Sequence, residues 1–259
     1  TEATGRDART IHRALEYSGE EGKFLRNEGR PLSCEAVIVD EVSMVDLFLM
    51  RSLLRAIAPG TRLIFVGDAD QLPSVGAGNV LGDMIESGVL PLAKLTTIYR
   101  QAQESMIVMN AHRINRGEMP VLRTKNTNFF FERKENANDA ASSTIALVKT
   151  RLPGFAGFHS MRDIQVMAPM KKGVTGVYEM NRALQEALNP RRPGMAELPR
   201  GDSVFRVGDK VMQVRNNYEI VWNRIGGEQG VGAYNGDIGI VESINLRERS
   251  MVVRMDDRR

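Results

Sequence analysis

The segment VIVDEVSMVD, residues 37–46, is an apolar run that ends on two adjacent carboxylates, Asp40 and Glu41. Such a run is typical of a buried strand, and the segment DLFLMRSLLRAI (46–57) that follows repeats its apolar residues at helical spacing. The acids therefore lie at the carboxyl end of a predicted strand. In open parallel sheets this is the edge where ligands bind.

The order of elements predicts an α/β fold. Strand-like runs alternate with helical patterns, which is the arrangement of a mostly parallel sheet with crossover connections. The predicted strands are 36–40, 63–68, 128–132 and 164–169, and the predicted helices are 46–57, 104–116, 138–151 and 175–188. Beyond a loop at 189–201 the pattern changes to short extended runs, so the final stretch is predicted to be all-β.

Composition limits the classes of partner. The chain has 259 residues and a net charge of +3, but residues 1–100 carry 11 Lys/Arg and 14 Asp/Glu while residues 101–259 carry 24 and 18. A basic second part fits a phosphate-bearing partner, although a solvated basic surface is the commoner cause. A single cysteine, Cys34, excludes an internal disulfide. It suits the reducing cytoplasm, where we expect the protein. No run approaches the roughly 18 apolar residues of a membrane span.

Asp40 and Glu41 suit two parts of a phosphate reaction. A Mg²⁺ ion that bridges two phosphates needs a carboxylate oxygen at this edge, which is the role predicted for Asp40. Glu41 can then polarise the water that attacks a terminal phosphate. The alternative is that the pair only ends a strand and caps the helix that begins at Asp46. A two-residue match does not decide between them.

A second apolar strand also runs into polar side chains. The segment LIFVGDADQLPSVGAGN (63–79) places Asp68 and Asp70 after the strand and Gln71 beyond them. A neutral amide there can hydrogen-bond a terminal phosphate or its attacking water without adding charge repulsion. A Gly-rich turn with polar residues on a wet surface is the alternative.

Arg100 is the third candidate for the reaction. It follows the apolar and aromatic segment TTIY at the expected end of the first domain. A guanidinium that reaches a transferring phosphoryl group neutralises the charge that develops in the transition state. A surface ion pair is the ordinary alternative for a lone arginine.

These segments resemble the Walker B motif and the two following motifs of superfamily 1 helicases, most closely in the RecD/TraA-like branch that includes the alpha subunit of exonuclease V. The motifs are VIVDEVSMVD, LIFVGDADQLPSVGAGNVLGDMI and LTTIYRQ. Similarity continues through TGRDARTIHRALE, NAHRINRGEMP, VMAPMKKGVTGVYEMNRALQEALNP, FRVGDKVMQVRNNYE and YNGDIG. The resemblance implies an ATP-dependent, Mg²⁺-dependent enzyme that translocates 5′ to 3′ on single-stranded DNA.

The resemblance also implies an architecture and a set of roles. Residues 1–100 would belong to a first RecA-like domain, 101–235 to a second, and 236–259 to the start of an inserted, SH3-like small β-barrel. Asp40 would bind Mg²⁺, Glu41 would be the catalytic base, Gln71 would contact the γ-phosphate and Arg100 would be the arginine finger. These are the roles already inferred from charge and position.

Two departures from the family pattern are clear. No segment has the spacing G-x-x-x-x-G-K-[S/T] of a phosphate loop, and the last two motor motifs are not recognisable. We therefore expect that the phosphate loop precedes Thr1, that the missing motifs follow Arg259, and that the chain as given does not hydrolyse ATP.

Six residues are candidates for contact with single-stranded DNA, through phosphates or through bases. They are Thr10, His12, Lys171, Lys172, Asn181 and Asn216. Each has an ordinary alternative. Thr10 and His12 can be a helix cap and a packing residue, the two lysines can lie on a solvated turn, and Asn216 lies in a segment whose aromatic residues are more often hairpin pairs.

Two other functions stay open. The chain could be a DNA-binding or docking subunit of a nuclease complex without turnover of its own, or a helicase segment of a conjugative relaxase. A phosphate loop upstream would favour the motor, and an upstream transesterase domain with a histidine cluster would favour the relaxase. In each case the expected partners are single-stranded DNA and duplex junctions, with other nuclease or helicase subunits as further partners and no membrane.

Overall fold

The computed structural model describes residues 5, 8–19, 21–95, 105–123, 127–224, 227 and 229–255. The chain divides into two compact units, residues 1–131 and 132–259. This division falls well beyond residue 100, and a helix and an extended segment within 105–131 are hydrogen-bonded to each other. The Asn110 side chain bonds the backbone of Val121 in both directions, at 2.7 and 2.9 Å. The predicted domain limits at 100 and 235 stay a prediction.

The described helices and strands of the first unit are α1 (Ile11–Ala14), β1 (Tyr17–Ser18), β2 (Lys23–Phe24), β3 (Ala36–Val39), a 3₁₀ turn (Val42–Met44), α2 (Leu47–Arg55), β4 (Arg62–Phe65), α3 (Val80–Ser87) and α4 (Met106–Asn115). Those of the second unit are α5 (Ala137–Ala146), a π-helical turn (Leu147–Arg151), α6 (Leu152–Ala156), α7 (Val177–Leu188), β5 (Glu197–Arg200), β6 (Ser203–Arg206), β7 (Lys210–Met212), β8 (Asn217–Asn223), β9 (Gln229–Ala233), β10 (Ile238–Asn245) and β11 (Ser250–Arg254).

Strands β3 and β4 form the parallel pair that the sequence predicts, and the α/β character of the first unit is confirmed. Their register runs from Ala36 opposite Arg62 to Val39 opposite Phe65. One face of the pair is buried against α2 and α3, and the core there consists of Leu15, Val39, Val42, Val45, Met50, Leu53, Ala56 and Val80. The other face is open within this unit, since Ile38 is 68% exposed. Only one side of the predicted buried strand is therefore covered by described residues.

Two predicted strands are wrong. Residues 128–132 and 164–169 are not strands, although half-buried and exposed positions alternate along 164–169. An extended chain becomes a sheet strand only where a neighbour supplies backbone hydrogen bonds, and no described strand pairs with either segment. In the second segment a side chain supplies a hydrogen bond instead of a neighbouring strand: Lys210 Nζ donates to the Ile164 carbonyl at 2.9 Å. Burial of that ammonium lowers the pKa of Lys210.

The predicted helices are confirmed with shifted ends at α2, α4 and α7. The predicted helix 138–151 extends to residue 156 and contains a π-helical turn at Leu147–Arg151. Pro153 explains this turn in part, since proline has no backbone N–H to continue the α-helical ladder. The Ser160 hydroxyl donates to the Val148 carbonyl inside the turn at 2.7 Å. None of the helices in the described part of the chain combines the length and the apolar composition that a membrane span requires.

The final stretch is all-β among its described residues, as predicted. Strand β10 lies between β7 and β11 in an antiparallel sheet, and β8 pairs with β9 in a separate ribbon. A turn at Asn235-Gly236 connects β9 to β10, and Gly236 has a φ of +96° that favours glycine. It is not the hairpin that an Asn-Gly pair predicts, because β9 and β10 belong to different sheets. The Asp237 side chain closes this turn by accepting a hydrogen bond from the Tyr234 backbone N–H at 2.9 Å.

A buried polar cluster joins α7 to the strands of the second unit. The Asp209 carboxylate is 6% exposed and accepts hydrogen bonds from Asn189 Nδ2 at 2.8 Å, the Arg206 backbone N–H at 2.7 Å and Gln185 Nε2 at 2.5 Å. Asn189 Nδ2 also donates to the Val207 carbonyl at 3.0 Å. A buried carboxylate is tolerated because these donors replace its hydration.

Asp209→Ala should destabilise the second unit by about 2–4 kcal/mol, because it leaves two side-chain amides and a backbone N–H without their acceptor. The measurement is the free energy of unfolding from urea denaturation of the 259-residue chain. Asp202→Ala, in the exposed turn between β5 and β6, is the matched control and should change stability by less than about 0.5 kcal/mol. Equal effects of the two substitutions would contradict a structural role for the cluster.

An acid-dependent contribution is expected from Asp163. Hydrogen bonding from the Arg162 guanidinium, together with the His159 backbone N–H, lowers the pKa of Asp163 from 3.8 to about 2. A depressed carboxyl pKa stabilises the fold above the unfolded-state value and loses that effect as the pH falls through the folded-state value. Asp163→Asn should therefore destabilise the protein at neutral pH, and the difference from wild type should shrink between pH 3.8 and about 2. A difference that is constant over this range in urea-unfolding measurements would exclude the carboxylate as its cause.

Candidate functional site

The two parallel strands end side by side. Beyond the last ladder pair, the Val66 N–H donates to the Val39 carbonyl at 2.8 Å, and the Val42 N–H donates to the Val66 carbonyl at 3.1 Å. These bonds keep the two segments hydrogen-bonded beyond the end of β4. The backbone of Asp40 and Glu41 is therefore held beside the residues that lead into Asp68.

Gly67 allows this close approach. A Cβ atom at this position would lie 3.1 Å from Val42 N, 3.3 Å from Ser43 N and 3.0 Å from Leu81 Cδ2. Two of these atoms belong to the backbone of the 3₁₀ turn, which cannot move as a side chain can. The glycine in VGD therefore sets the distance between the two strand ends.

Asp40 and Glu41 are exposed at this edge. The Glu41 N–H donates to Asp40 Oδ1 at 2.9 Å, which orients the first carboxylate. Glu41 itself has a φ of +54°, in the left-handed region that residues with a Cβ seldom adopt. This conformation ends β3 and begins the 3₁₀ turn, and it costs of the order of 1 kcal/mol. Asp40 and Glu41 do not cap α2. The N-cap of that helix is Asp46, whose side chain accepts a hydrogen bond from the Leu49 N–H at 2.8 Å.

Gln71 lies in a turn that Asp68 organises. Asp68 Oδ1 accepts from the Asp70 N–H at 3.0 Å, and Asp68 Oδ2 accepts from Gln71 Nε2 at 3.3 Å. The Gln71 N–H also donates to the Asp68 carbonyl at 3.2 Å. Asp68 thus orients the predicted phosphate-sensing amide, a positioning role that sequence reasoning missed. The three-residue spacing from Asp68 to Gln71 is the signal that could have indicated it.

The residues at this edge fit a magnesium ion that keeps most of its waters. Mg²⁺ typically takes one or two protein carboxylates plus substrate phosphates, and Asp40 is an exposed carboxylate in that position. No group of three or more acidic, histidine or cysteine side chains in the described ranges could hold a metal by itself. Beside Asp40, the buried Ser43 hydroxyl has no hydrogen-bond partner among the described residues.

Arg100 lies outside the described residues, so its predicted role as an arginine finger stays a prediction. The Gly22-Lys23 pair does not form a phosphate loop. It is followed by Phe24 instead of Ser or Thr, and it lies at the start of β2, of which Lys23 is the first residue.

Thr10 and His12 have structural roles at α1. The Thr10 hydroxyl is the helix N-cap and accepts from the Arg13 N–H at 3.3 Å. The His12 ring lies 5.6 Å from the Tyr17 ring and 5.4 Å from the Phe24 ring, between centroids. The cap and packing alternatives are thus realised, and the exposure of both side chains leaves contact with DNA a prediction.

Lys171 and Lys172 precede α7, Asn181 lies on that helix, and all three are exposed. The Tyr178 N–H donates to the Lys171 carbonyl at 3.1 Å, which ties the lysine loop to the helix. Asn216 is also exposed, and its Oδ1 accepts from the Asn235 N–H at 2.9 Å. That hydrogen bond stabilises the turn at Asn235. Contact between Asn216 and DNA stays a prediction.

Two family models match the chain. Residues 1–77 match a model described as an AAA domain, and residues 180–255 match one described as the ATP-dependent RecD-like DNA helicase SH3 domain. The second match begins ahead of residue 236, where the sequence placed the start of the barrel. An SH3-like domain is therefore present, and the predicted limit of the barrel at residue 236 stays a prediction.

Curated relatives cover almost the whole chain. It is 38% identical over 240 residues to the ATP-dependent RecD2 DNA helicase of Deinococcus radiodurans. The matched region covers 93% of this chain and 30% of that protein. It is 28% identical over 248 residues to the RecBCD enzyme subunit RecD of Mycolicibacterium smegmatis, with 92% and 42% covered. The chain thus spans less than half the length of these relatives. Among solved structures, the Pif1 helicase from Bacteroides aligns at 18% identity, with 96% of this chain and 59% of that chain covered. Its TM-score of 0.29 is too low to support a shared overall arrangement.

Gly67→Ala should destabilise the first unit by about 1–3 kcal/mol, because the added methyl group forces the 3₁₀ turn away from the strand end. The measurement is the free energy of unfolding from urea denaturation. Gly19→Ala is the matched control, since a Cβ at Gly19 would meet nothing within 4 Å and its backbone is not left-handed. If both substitutions were neutral, the close approach at Gly67 would have no energetic importance.

Proposed function

Because the chain belongs to the RecD-like branch of the superfamily 1 helicases, we propose that it is part of an ATP-dependent motor that moves 5′ to 3′ on single-stranded DNA. The observation that carries the proposal is the junction of β3 and β4. It holds the Asp40-Glu41 pair beside the turn that contains Gln71, at the carboxyl edge of a parallel strand pair. Phosphates bind at this edge in open α/β sheets.

Each residue at the edge has a distinct part in the proposed reaction. The Asp40 carboxylate would hold Mg²⁺, which neutralises charge on the β- and γ-phosphates of ATP when bound. Glu41 would accept a proton from the attacking water, and its left-handed backbone turns the side chain out of the direction of β3. Gln71, steadied by Asp68, would hydrogen-bond the γ-phosphate.

Arg100 completes the proposed constellation as the arginine finger. The proposed order of domains is a first RecA-like domain (1–100) that ends at Arg100, a second RecA-like domain (101–235) and the start of the inserted barrel (236–259). In this scheme ATP binding closes the cleft and hydrolysis opens it, so that alternating grip on the strand produces steps. Thr10, His12, Lys171, Lys172, Asn181 and Asn216 are the proposed DNA contacts.

The 259 residues by themselves should not turn over ATP, because they lack the sequence of a phosphate loop. Backbone N–H groups and the lysine of that loop supply most of the contacts to the β- and γ-phosphates. We propose that the motor acts in the cytoplasm on single strands and duplex junctions, alone or with other nuclease and helicase subunits. The single cysteine suits that compartment.

A second function is favoured by one observation. Several relatives are named as RecD subunits of the RecBCD enzyme, and the chain has no phosphate-loop sequence. A docking subunit that binds DNA without hydrolysing ATP would share both features. Measurement of ATP hydrolysis by the product of the full open reading frame separates the two functions.

Glu41→Gln in the product of the full open reading frame should lower DNA-stimulated ATP hydrolysis by about 10²–10⁴-fold, because an amide cannot accept the proton of the attacking water. Binding of a fluorescent ATP analogue should be retained, since the amide keeps the size of the carboxylate. The measurement is steady-state phosphate release with and without oligo(dT).

Glu86→Gln is the matched control, because Glu86 is an exposed carboxylate on α3 outside the proposed site. It should leave ATP hydrolysis unchanged. Full turnover in Glu41→Gln would exclude the base assignment. An inactive wild-type protein would instead favour the docking subunit.

A further inference from the structure

The β8–β9 ribbon carries an aromatic ring laid over a glycine. Trp222 and Gly230 are directly opposite each other in the ribbon. A Cβ atom at Gly230 would lie 2.5 Å from Trp222 Cη2 and 2.7 Å from Cε2, so the indole occupies the place of a side chain on β9. No other residue type fits at Gly230 with the indole in this position.

A second aromatic ring repeats the arrangement two residues along the same strand. A Cβ atom at Gly232 would lie 2.9 Å from the Tyr234 hydroxyl oxygen and 3.2 Å from Cζ. Gly232 also has a φ of +104°, which favours glycine for a second reason. The Tyr234 ring therefore folds back over β9, and the Asp237 carboxylate fixes its backbone by accepting from the Tyr234 N–H.

Both rings cover glycines of β9 that lie two residues apart in sequence. Trp222 is directly opposite Gly230 in the ladder, and Tyr234 follows the end of β9. Trp222 and Tyr234 are both half-buried, which means that each ring is backed by the strand and still reaches solvent. We call Trp222, Tyr234 and the two glycines behind them the aromatic face.

A cation borders the aromatic face. Arg224 is exposed, and its Cζ lies 5.8 Å from the Trp222 ring centroid. This is near the outer limit of about 6 Å for a cation–π contact. A planar guanidinium can stack on a base or pair with a phosphate when a ligand takes its place.

We propose that the aromatic face is a stacking site for the bases of single-stranded nucleic acid, with Arg224 as its phosphate contact. Rigid, strand-backed rings stack on bases at little entropic cost, and base stacking tolerates any sequence. A duplex does not suit the face, because its bases are already stacked on each other. The basic balance of residues 101–259 favours a polyanion over a neutral proline-rich peptide, which aromatic grooves also bind.

The inference deepens the proposed function by naming a DNA-contact surface in the second unit. It needs neither ATP nor the acids at the β3–β4 edge. Its test therefore uses no nucleotide, and its failure is distinguishable from loss of ATP hydrolysis in the Glu41→Gln experiment.

Trp222 is the single tryptophan of the chain, so it reports directly on its own contacts. Titration of the 259-residue protein with a 15-nucleotide oligo(dT) should quench its fluorescence in a saturable way. An oligonucleotide of equal length with abasic sites keeps the phosphates but offers nothing to stack. It should bind about 5- to 100-fold more weakly and leave the emission almost unchanged.

Substitutions measured by fluorescence anisotropy of labelled oligo(dT) separate stacking from folding. Trp222→Ala should lose the preference for oligo(dT) over the abasic strand, and Trp222→Phe should restore much of it because a ring is retained. Val221→Ala, at an exposed position on the opposite face of β8, is the matched control and should bind as wild type. Circular dichroism of each variant checks that the β-rich unit is intact.

Three outcomes would overturn the proposal. Equal affinity of wild type for oligo(dT) and the abasic strand would mean that only phosphates are bound. Binding that leaves Trp222 emission unchanged would place the contact elsewhere. Quenching by a proline-rich peptide in place of oligo(dT) would make the face a protein-recognition surface.

Discussion

The candidate site depends on one backbone junction. Two hydrogen bonds, from Val66 N–H to the Val39 carbonyl and from Val42 N–H to the Val66 carbonyl, continue the parallel pairing beyond the strands themselves. The absence of a side chain at Gly67 lets the 3₁₀ turn lie against the end of β4. Because backbone groups make both hydrogen bonds, the backbone of Asp40 and Glu41 is held beside the segment that leads to Asp68 independently of the exposed side chains. Preorganisation of this kind is what phosphate chemistry requires.

Glu41 has a strained backbone conformation at the candidate site. Its left-handed backbone costs of the order of 1 kcal/mol, and it persists because the paired strand before it and the 3₁₀ turn after it leave no other path for the chain. The second unit is stabilised by a buried carboxylate instead. There Asp209 collects three donors from α7 and the segment around β6, so a buried charge joins helix and strands where apolar contact alone is sparse.

Sequence reasoning succeeded where local pattern and tertiary environment agree, and failed where pairing had to be supplied from elsewhere. The runs that became β3 and β4 have each other as neighbours, so their predicted strands are present with ends that differ by at most three residues. Residues 164–169 have the same alternation, yet their backbone bonds to the Lys210 ammonium. The predictions for Thr10 and Asn216 show the same limit, since hydroxyl and amide groups suited to DNA also suit a cap and a turn.

The sequence alone determined the family resemblance, the α/β order of the first unit and the identity of the acids, because motif spacing and apolar periodicity are local properties of the chain. Tertiary structure alone decided that Gly67 sets the separation of the strand ends and that Trp222 lies over Gly230. Those facts depend on which backbone segments meet, and contacts between residues distant in sequence leave no periodic trace in either segment.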